Sequence, residues 1–199
     1  MDWWMYFFPL LGYVFGAIPS AYVVGKLSAG VDIRQVGSGN VGTTNALRVL
    51  GRAAGAMVLV LDVCKILVVL WLARWVGLTY NLQLLTAAAA IIGHNWSIFI
   101  GFKGGKGVAV STGMILWFYP LPALVAIFSF IIVVAISRYV SLGSVVAALC
   151  VPLVMVFLHD SAVDILYTTS LAMMLILRHS ANIGRLLAGT ENRFSLSKS

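Results

Sequence analysis

The chain has 199 residues, of which 61% are hydrophobic and only 10% charged, against about 25% charged residues in ordinary soluble domains. That balance excludes a typical water-soluble fold. The formal net charge of +7, from 13 Lys and Arg against 6 Asp and Glu, is compatible with anionic ligands, lipid headgroups or an inside-positive membrane topology.

A helix crossing about 30 Å of hydrocarbon needs roughly 20 mainly apolar residues, and continuous apolar runs favour helices over a barrel. Seven runs are predicted, at residues 3–24, 53–73, 82–102, 108–118, 121–136, 142–158 and 163–177. The first starts behind Asp2 with two tryptophans and no Lys or Arg, so it lacks the charged head of a cleaved signal peptide and is expected to remain in the mature protein. The second contains Asp62 and Lys65 at i,i+3, where isolated charges are costly, so a structural ion pair is expected. Cys64 and Cys150 sit in apolar runs without a neighbouring cysteine and are expected to be core thiols. The fourth run is short. It meets the fifth at Tyr119, Pro120, Leu121 and Pro122, where missing amide donors favour a tight reversal over one long helix.

Charge sorting supports seven spans with the amino terminus outside and the carboxyl terminus cytoplasmic. Lys26, Arg34, Arg48, Arg52, Lys103, Lys106, Arg138, Arg178, Arg185, Arg193 and Lys198 then fall inside, leaving Arg74 outside with Asp2, Asp160 and Asp164, as the positive-inside rule requires. The longest polar stretches, 27–52 and 178–199, both face the cytoplasm, so the site is expected there, in re-entrant or loop-borne segments. The fold class is therefore an all-α, seven-helix membrane protein, a single domain over 1–199.

Three constellations carry the chemistry. The first reads VGSGNVGTTNALR from Val36 to Arg48. Its glycines, Gly37, Gly39 and Gly42, permit close backbone approach to an anion, with Ser38 and Thr44 offering hydroxyls beside Asn40 and Asn45; Thr43 or Thr44 is alternatively a helix cap. The second is Gly93-His94-Asn95 followed by FKGGKGV from Phe102 to Val108. Lys103 and Lys106 supply charge, and the amides of Gly104 and Gly105 are expected to approach phosphate oxygens near a helix amino terminus. The register of a nucleotide P-loop is absent, and the lysines alone are also ordinary topology signals. His94 suits either a structural hydrogen bond or direct chemistry. The third is His179, Asn182, Ile183 and Arg185 followed by Gly189 and Glu191, with His179 and Asn182 at i,i+3 on one helical face.

Together, GSGNVGTTN, GH with FKGGKGV, and HxxNIxRLxxGxE resemble the acyl-phosphate-dependent glycerol-3-phosphate acyltransferase family over most of the chain, although Thr43 stands where alanine is familiar. The resemblance implies a bacterial inner-membrane enzyme of phospholipid biosynthesis. It would transfer an acyl chain from acyl phosphate to the 1-hydroxyl of sn-glycerol 3-phosphate, releasing lysophosphatidate and phosphate. It further implies a site serine at Ser38, flanked by Gly37, Gly39 and Asn40, substrate binding by Arg48, Lys106 and Asn182, and a contribution from His179.

Ser38, Lys106 and His179 are therefore the candidate catalytic residues, and Gly37, Gly39, Asn40, Thr44, Asn45, Arg48, Lys103, Gly104, Gly105 and Asn182 the candidate substrate-binding ones. Acyl phosphate carries its own leaving group, so no acyl-enzyme on Ser38 is required, and no serine, histidine and acid triad is recognisable. Either a substrate phosphate oxygen or His179 accepts the hydroxyl proton. The expected partners are acyl phosphate, glycerol 3-phosphate and membrane lipids, with no cofactor, metal, nucleic acid or obligate protein partner. The alternative class is a transporter or channel for an organic phosphate, although its polar signatures would then be expected along a crossing path rather than at one face.

Overall fold

The computed structural model describes residues 3–194; Asp2 and Lys198, two of the charges assigned to a membrane side, lie outside the described residues. Among the described residues there are helices and 3₁₀ turns but no strand. Five helical segments are long and apolar enough to cross a membrane: Trp3–Ala29, Arg52–Trp75, Tyr80–Ile100, Pro120–Ser137 and Val140–Phe157. The fourth and seventh expected runs are also helical, but their helices have 11 and 17 residues. At 1.5 Å per residue the shorter reaches only about 16 Å, half the hydrocarbon thickness.

The chain divides into two compact units, one ending at Met114 and the other beginning at Ile115. In the first unit, the opening apolar run is not the continuous helix expected. It is α1 (Phe8–Ala17) and α2 (Ser20–Ala29), separated at Ile18 and Pro19. Proline lacks an amide donor and drives the preceding residue out of the α region, and Ile18 accordingly adopts φ −56°, ψ 115°. The carbonyls freed by the break find side-chain donors: Ser97 Oγ donates to Ala17 O at 2.5 Å and Lys65 Nζ to Ile18 O at 3.0 Å. The Ile18 carbonyl also accepts from the Ser20 amide at 3.1 Å, and a bare carbonyl at membrane depth would be costly.

After α3 (Thr43–Leu50) come α4 (Arg52–Trp75) and α5 (Tyr80–Asn95). Small residues let α1 lie directly on α5: a Cβ on Gly12 or Gly16 would strike the carbonyl of Thr86 or Ala90, and one on Gly93 the carbonyl of Tyr13. In lipid, such close backbone approach replaces the hydrophobic drive that packs helices in water. Gly55 plays the same part where α3 meets α4, since a Cβ there would sit 2.7 Å from Leu47 Cβ. Cys64, on α4, is exposed and Cys150 half-buried, so neither is the core thiol expected. An apolar helix in a membrane has an outward face as apolar as its inward one, and composition does not tell them apart.

α6 (Val108–Phe118) ends at Tyr119, and α7 (Pro120–Ser137) begins with proline in its first turn, so the run does break at the proline pair. In the second unit α7 and α8 (Val140–Phe157) form a hairpin closed by Arg138, at φ +62°. Gly143 admits α7 at the contact, because a Cβ there would lie 2.6 Å from Val134. α9 (Ala162–Arg178) packs on α8 and is capped by Ser161, which accepts from the Asp164 amide at 3.2 Å. α10 (Ser180–Leu187) follows after His179, and the chain then returns to the α7–α8 turn, where the Phe194 amide donates to Arg138 O at 2.6 Å.

Candidate functional site

The first glycine loop is built around Asn45, 1% exposed on the first turn of α3. Its Oδ1 accepts from the Ser38 amide at 2.8 Å, while Nδ2 donates to the carbonyls of Ile33 and Val36, both at 3.1 Å. One carboxamide thus holds three points of the loop backbone. Gly37 is required twice over: its φ is +62°, and a Cβ would collide with Asn45 Oδ1. Beneath the loop, Ile33, Val41 and Ala46 join Ala21, Val24 and Val58 in one buried apolar cluster, which makes the loop root rigid. Ser38 is exposed, and Asn40, Thr44 and Arg48 are half-buried. Thr44 and Arg48 lie at i,i+4 on α3. Neither Thr43 nor Thr44 caps the helix: Gly42 is the N-cap, and no side chain bonds there.

Arg34 is engaged at the foot of the loop. It donates to Asp32 through Nε at 2.9 Å and Nη2 at 2.7 Å and lies over the Tyr22 ring. These charge-assisted bonds bring the Asp32 carboxyl down to about 2.

The second glycine loop differs from expectation in one respect. The Gly104 amide donates to Asn95 O at 3.2 Å and the Gly105 amide to His94 O at 3.0 Å. These two amides therefore close the carbonyl end of α5 instead of being presented to phosphate oxygens. Both residues are buried and need the absence of a side chain, since a Cβ on Gly104 would overlap His94 O and one on Gly105 would overlap His94 Nε2. Their bonds bring the chain round so that Lys106, half-buried, and Gly107, at φ +84°, lead directly into α6; Lys103 is exposed.

Behind this loop lies a polar cluster that sequence reading recognised only in pieces. The expected pair forms, with Lys65 Nζ 2.9 Å from Asp62 Oδ1. The same ammonium reaches His94 Nδ1 at 2.9 Å, and Ser20 Oγ donates to Asp62 Oδ1 at 2.8 Å. His94 is thus a buried structural partner, the plainer of its two expected roles.

In the second unit, Glu191 organises the third constellation. Its Oε1 accepts from Asn182 Nδ2 at 2.6 Å and Ser141 Oγ at 2.8 Å, and its Oε2 accepts from Arg185 Nε at 2.7 Å. Burial pushes the Glu191 carboxyl up, but the bonds from Asn182, Ser141 and Arg185 outweigh it and hold the group below its ordinary value. His179, 3% exposed, sits at the junction of α9 and α10 with Nδ1 2.8 Å from Leu175 O. A carbonyl only accepts, so Nδ1 carries the hydrogen and Nε2 is the basic nitrogen of the neutral ring. Ser141 escaped sequence reading because it lies inside an apolar run with no motif around it.

Comparison with known proteins places these features in a family. The profile of the glycerol-3-phosphate acyltransferases matches residues 6–189. A glycerol-3-phosphate acyltransferase of Fusobacterium nucleatum is 43% identical over 187 residues, 94% of this chain and 96% of the relative. A second, from Thermotoga maritima, is 41% identical over the full length of both. The crystal structure of PlsY (YgiH), an integral membrane glycerol 3-phosphate acyltransferase in its glycerol 3-phosphate form, superposes with a TM-score of 0.89 at 35% identity, covering 96% of each chain. Its lysophosphatidic acid form gives 0.88 at 34% identity, with the same coverage.

Proposed function

The chain belongs to the glycerol-3-phosphate acyltransferase family, and from that premise we propose that it transfers an acyl group from acyl phosphate to the 1-hydroxyl of sn-glycerol 3-phosphate, yielding lysophosphatidate and inorganic phosphate. The observation that carries this reading is a pair of glycine loops in one unit, one held by the buried Asn45 side chain and the other by the backbone carbonyls of His94 and Asn95, each accompanied by a cation, Arg48 or Lys106. A reaction whose two substrates both carry phosphate needs two such anion-holding elements. The glycerol 3-phosphate and lysophosphatidic acid forms of PlsY support the identities of acceptor and product.

In this mechanism Lys106 and Arg48 neutralise phosphate charge, Arg48 through its planar fork and Lys106 as a point charge beside the amino terminus of α6. Lys103 adds to the local positive field. Ser38, with Asn40 and Thr44, donates hydrogen bonds to phosphate or to the reacting oxygen. Asn45, Gly37 and Gly39 hold the first loop in the shape that allows this, and Gly104 and Gly105 do so for the second.

The 1-hydroxyl oxygen of glycerol 3-phosphate attacks the acyl carbonyl, and the bond to the phosphate leaving group breaks. We assign the hydroxyl proton to one of two acceptors, a substrate phosphate oxygen or His179, whose Nδ1 is held by Leu175 O and whose Nε2 is the basic nitrogen. In the second unit Asn182 is held by Glu191 and is proposed to bind substrate. The long apolar helices keep the acyl chain in the bilayer, and we place the enzyme in a bacterial inner membrane with a cytoplasmic site.

Purified protein should form labelled lysophosphatidate and release one phosphate per product from acyl phosphate, but not from an acyl thioester. Product from the thioester at equal rate would overturn the donor assignment. Lys106→Gln is expected to raise KM for glycerol 3-phosphate at least tenfold. In single-turnover pH–rate profiles, His179→Ala should abolish the acidic limb if His179 is the base; an unchanged limb and near-normal rate would assign that role to a substrate phosphate.

A further inference from the structure

The cluster behind the second glycine loop takes no part in the steps above, yet its hydrogen bonds reach the loop directly. Lys65 lies within α4 and is 7% exposed. An ammonium has three N–H donors and no acceptor, and Lys65 has three acceptors around it: Asp62 Oδ1 at 2.9 Å, Ile18 O at 3.0 Å and His94 Nδ1 at 2.9 Å. Asp62 balances the charge, as a buried cation in a membrane span requires. The Ile18 carbonyl lies where Pro19 interrupts the first span, and it accepts from the Ser20 amide at 3.1 Å as well as from Lys65.

This arrangement decides the state of His94. Since Lys65 donates, His94 Nδ1 must accept, and the neutral ring therefore carries its hydrogen on Nε2. Asp62 alone would select the opposite tautomer, because a carboxylate only accepts. Its Oδ1 stands 3.7 Å from Nδ1, beyond hydrogen-bond reach, and the ammonium takes that position. His94 Nε2 is in turn the atom that a Cβ on Gly105 would overlap, and the His94 carbonyl receives the Gly105 amide. The chain from the broken first span through Lys65 and His94 thus ends one residue before Lys106.

We propose that Lys65 is a positioning residue for the transferase: by holding His94 in the Nε2–H tautomer against Gly105, it sets how Lys106 is presented to the phosphate of the substrate. This rests on reading the second glycine loop as phosphate-holding.

The tautomer is measured by ¹⁵N spectra of histidine-labelled enzyme in detergent, with the His94 signal assigned by its loss in His94→Gln. The wild type should show His94 protonated on Nε2. Lys65→Met should move that proton to Nδ1 or mix the two forms and raise KM for glycerol 3-phosphate at least tenfold, with kcat changed less than about threefold. Lys65→Arg, also a pure donor, should keep the Nε2–H signal and recover most of the KM effect. Lys65→Met leaves Asp62 unpaired; if it fails to fold, the double variant Asp62→Asn with Lys65→Met removes both charges together and should show the same KM rise and tautomer mixing. An unchanged tautomer, or a changed tautomer with unchanged KM, overturns the proposal. Lys106→Gln separates the two ideas: if it leaves KM unaltered, the phosphate reading of the loop has failed, while the tautomer result still stands on its own.

Discussion

Replacing Asn45 with alanine gives a quantitative test of how the first glycine loop is held. The substitution removes three hydrogen bonds, from the Ser38 amide and to the Ile33 and Val36 carbonyls. Alanine is the best helix former, so α3 itself should not suffer. At a net value of about 1 kcal/mol per bond, the loop loses ~3 kcal/mol, a factor of roughly 150 in the equilibrium between its closed and opened forms. Because the exposed Ser38 takes its backbone position from this closed form, kcat/KM should fall by up to ~100-fold, and Tm should drop by several degrees. Asn45→Asp sharpens the test. It keeps an acceptor for the Ser38 amide but removes both donors and sets a negative charge beside two carbonyl oxygens, so it should be no better than alanine. The assay is initial-rate acyl transfer with both substrates varied, alongside thermal unfolding in the same detergent. Asn45→Ala within threefold of wild type in kcat/KM with unchanged Tm, or Asn45→Asp behaving as wild type, would refute the reasoning.

Three further outcomes follow from geometry already described. Gly16→Val drives side-chain carbons into the Ala90 backbone and should lower stability by about 1–3 kcal/mol or more, read as a large Tm loss with little change in KM for the molecules that remain folded. Gly105→Ala places a methyl on His94 Nε2, in a buried and hydrogen-bonded setting, and should lower Tm as well as cost at least tenfold in kcat/KM, chiefly through KM for glycerol 3-phosphate. Glu191 has a depressed folded pKa, so its stabilisation is complete above the unfolded value of 4.5 and is lost as pH falls through the lower folded value. Glu191→Gln should therefore lower Tm at neutral pH and flatten the decline of Tm below about pH 4.5, since a carboxamide cannot accept from Asn182, Ser141 and Arg185 as a carboxylate does. An unaltered acid limb would remove Glu191 from this role.

Composition and apolar run length were enough to establish helices and a membrane setting, because a spanning backbone must satisfy its own hydrogen bonds and does so over long, uniformly apolar segments. The glycine, lysine and asparagine signatures were equally legible, since turns of this kind depend on local residue types. Asp62 and Lys65 could be paired from their spacing alone, because i,i+3 contacts lie within one helix.

Other features were outside the reach of local pattern. Pro19 is visible in the sequence, but that its break would leave a carbonyl facing Lys65 depends on how α1 and α2 lie against α4. The glycines at 104 and 105 read as phosphate-binding amides, whereas the fold spends both amides on the end of α5. Ser141 is 50 residues from Glu191, and His94 is 29 from Lys65. The sequence by itself determined that the long apolar runs are helical and which loops carry charge, since both follow from short-range chemistry. Only the tertiary structure decided which polar atoms are consumed in holding those loops, because hydrogen-bond partners distant in sequence are chosen by packing.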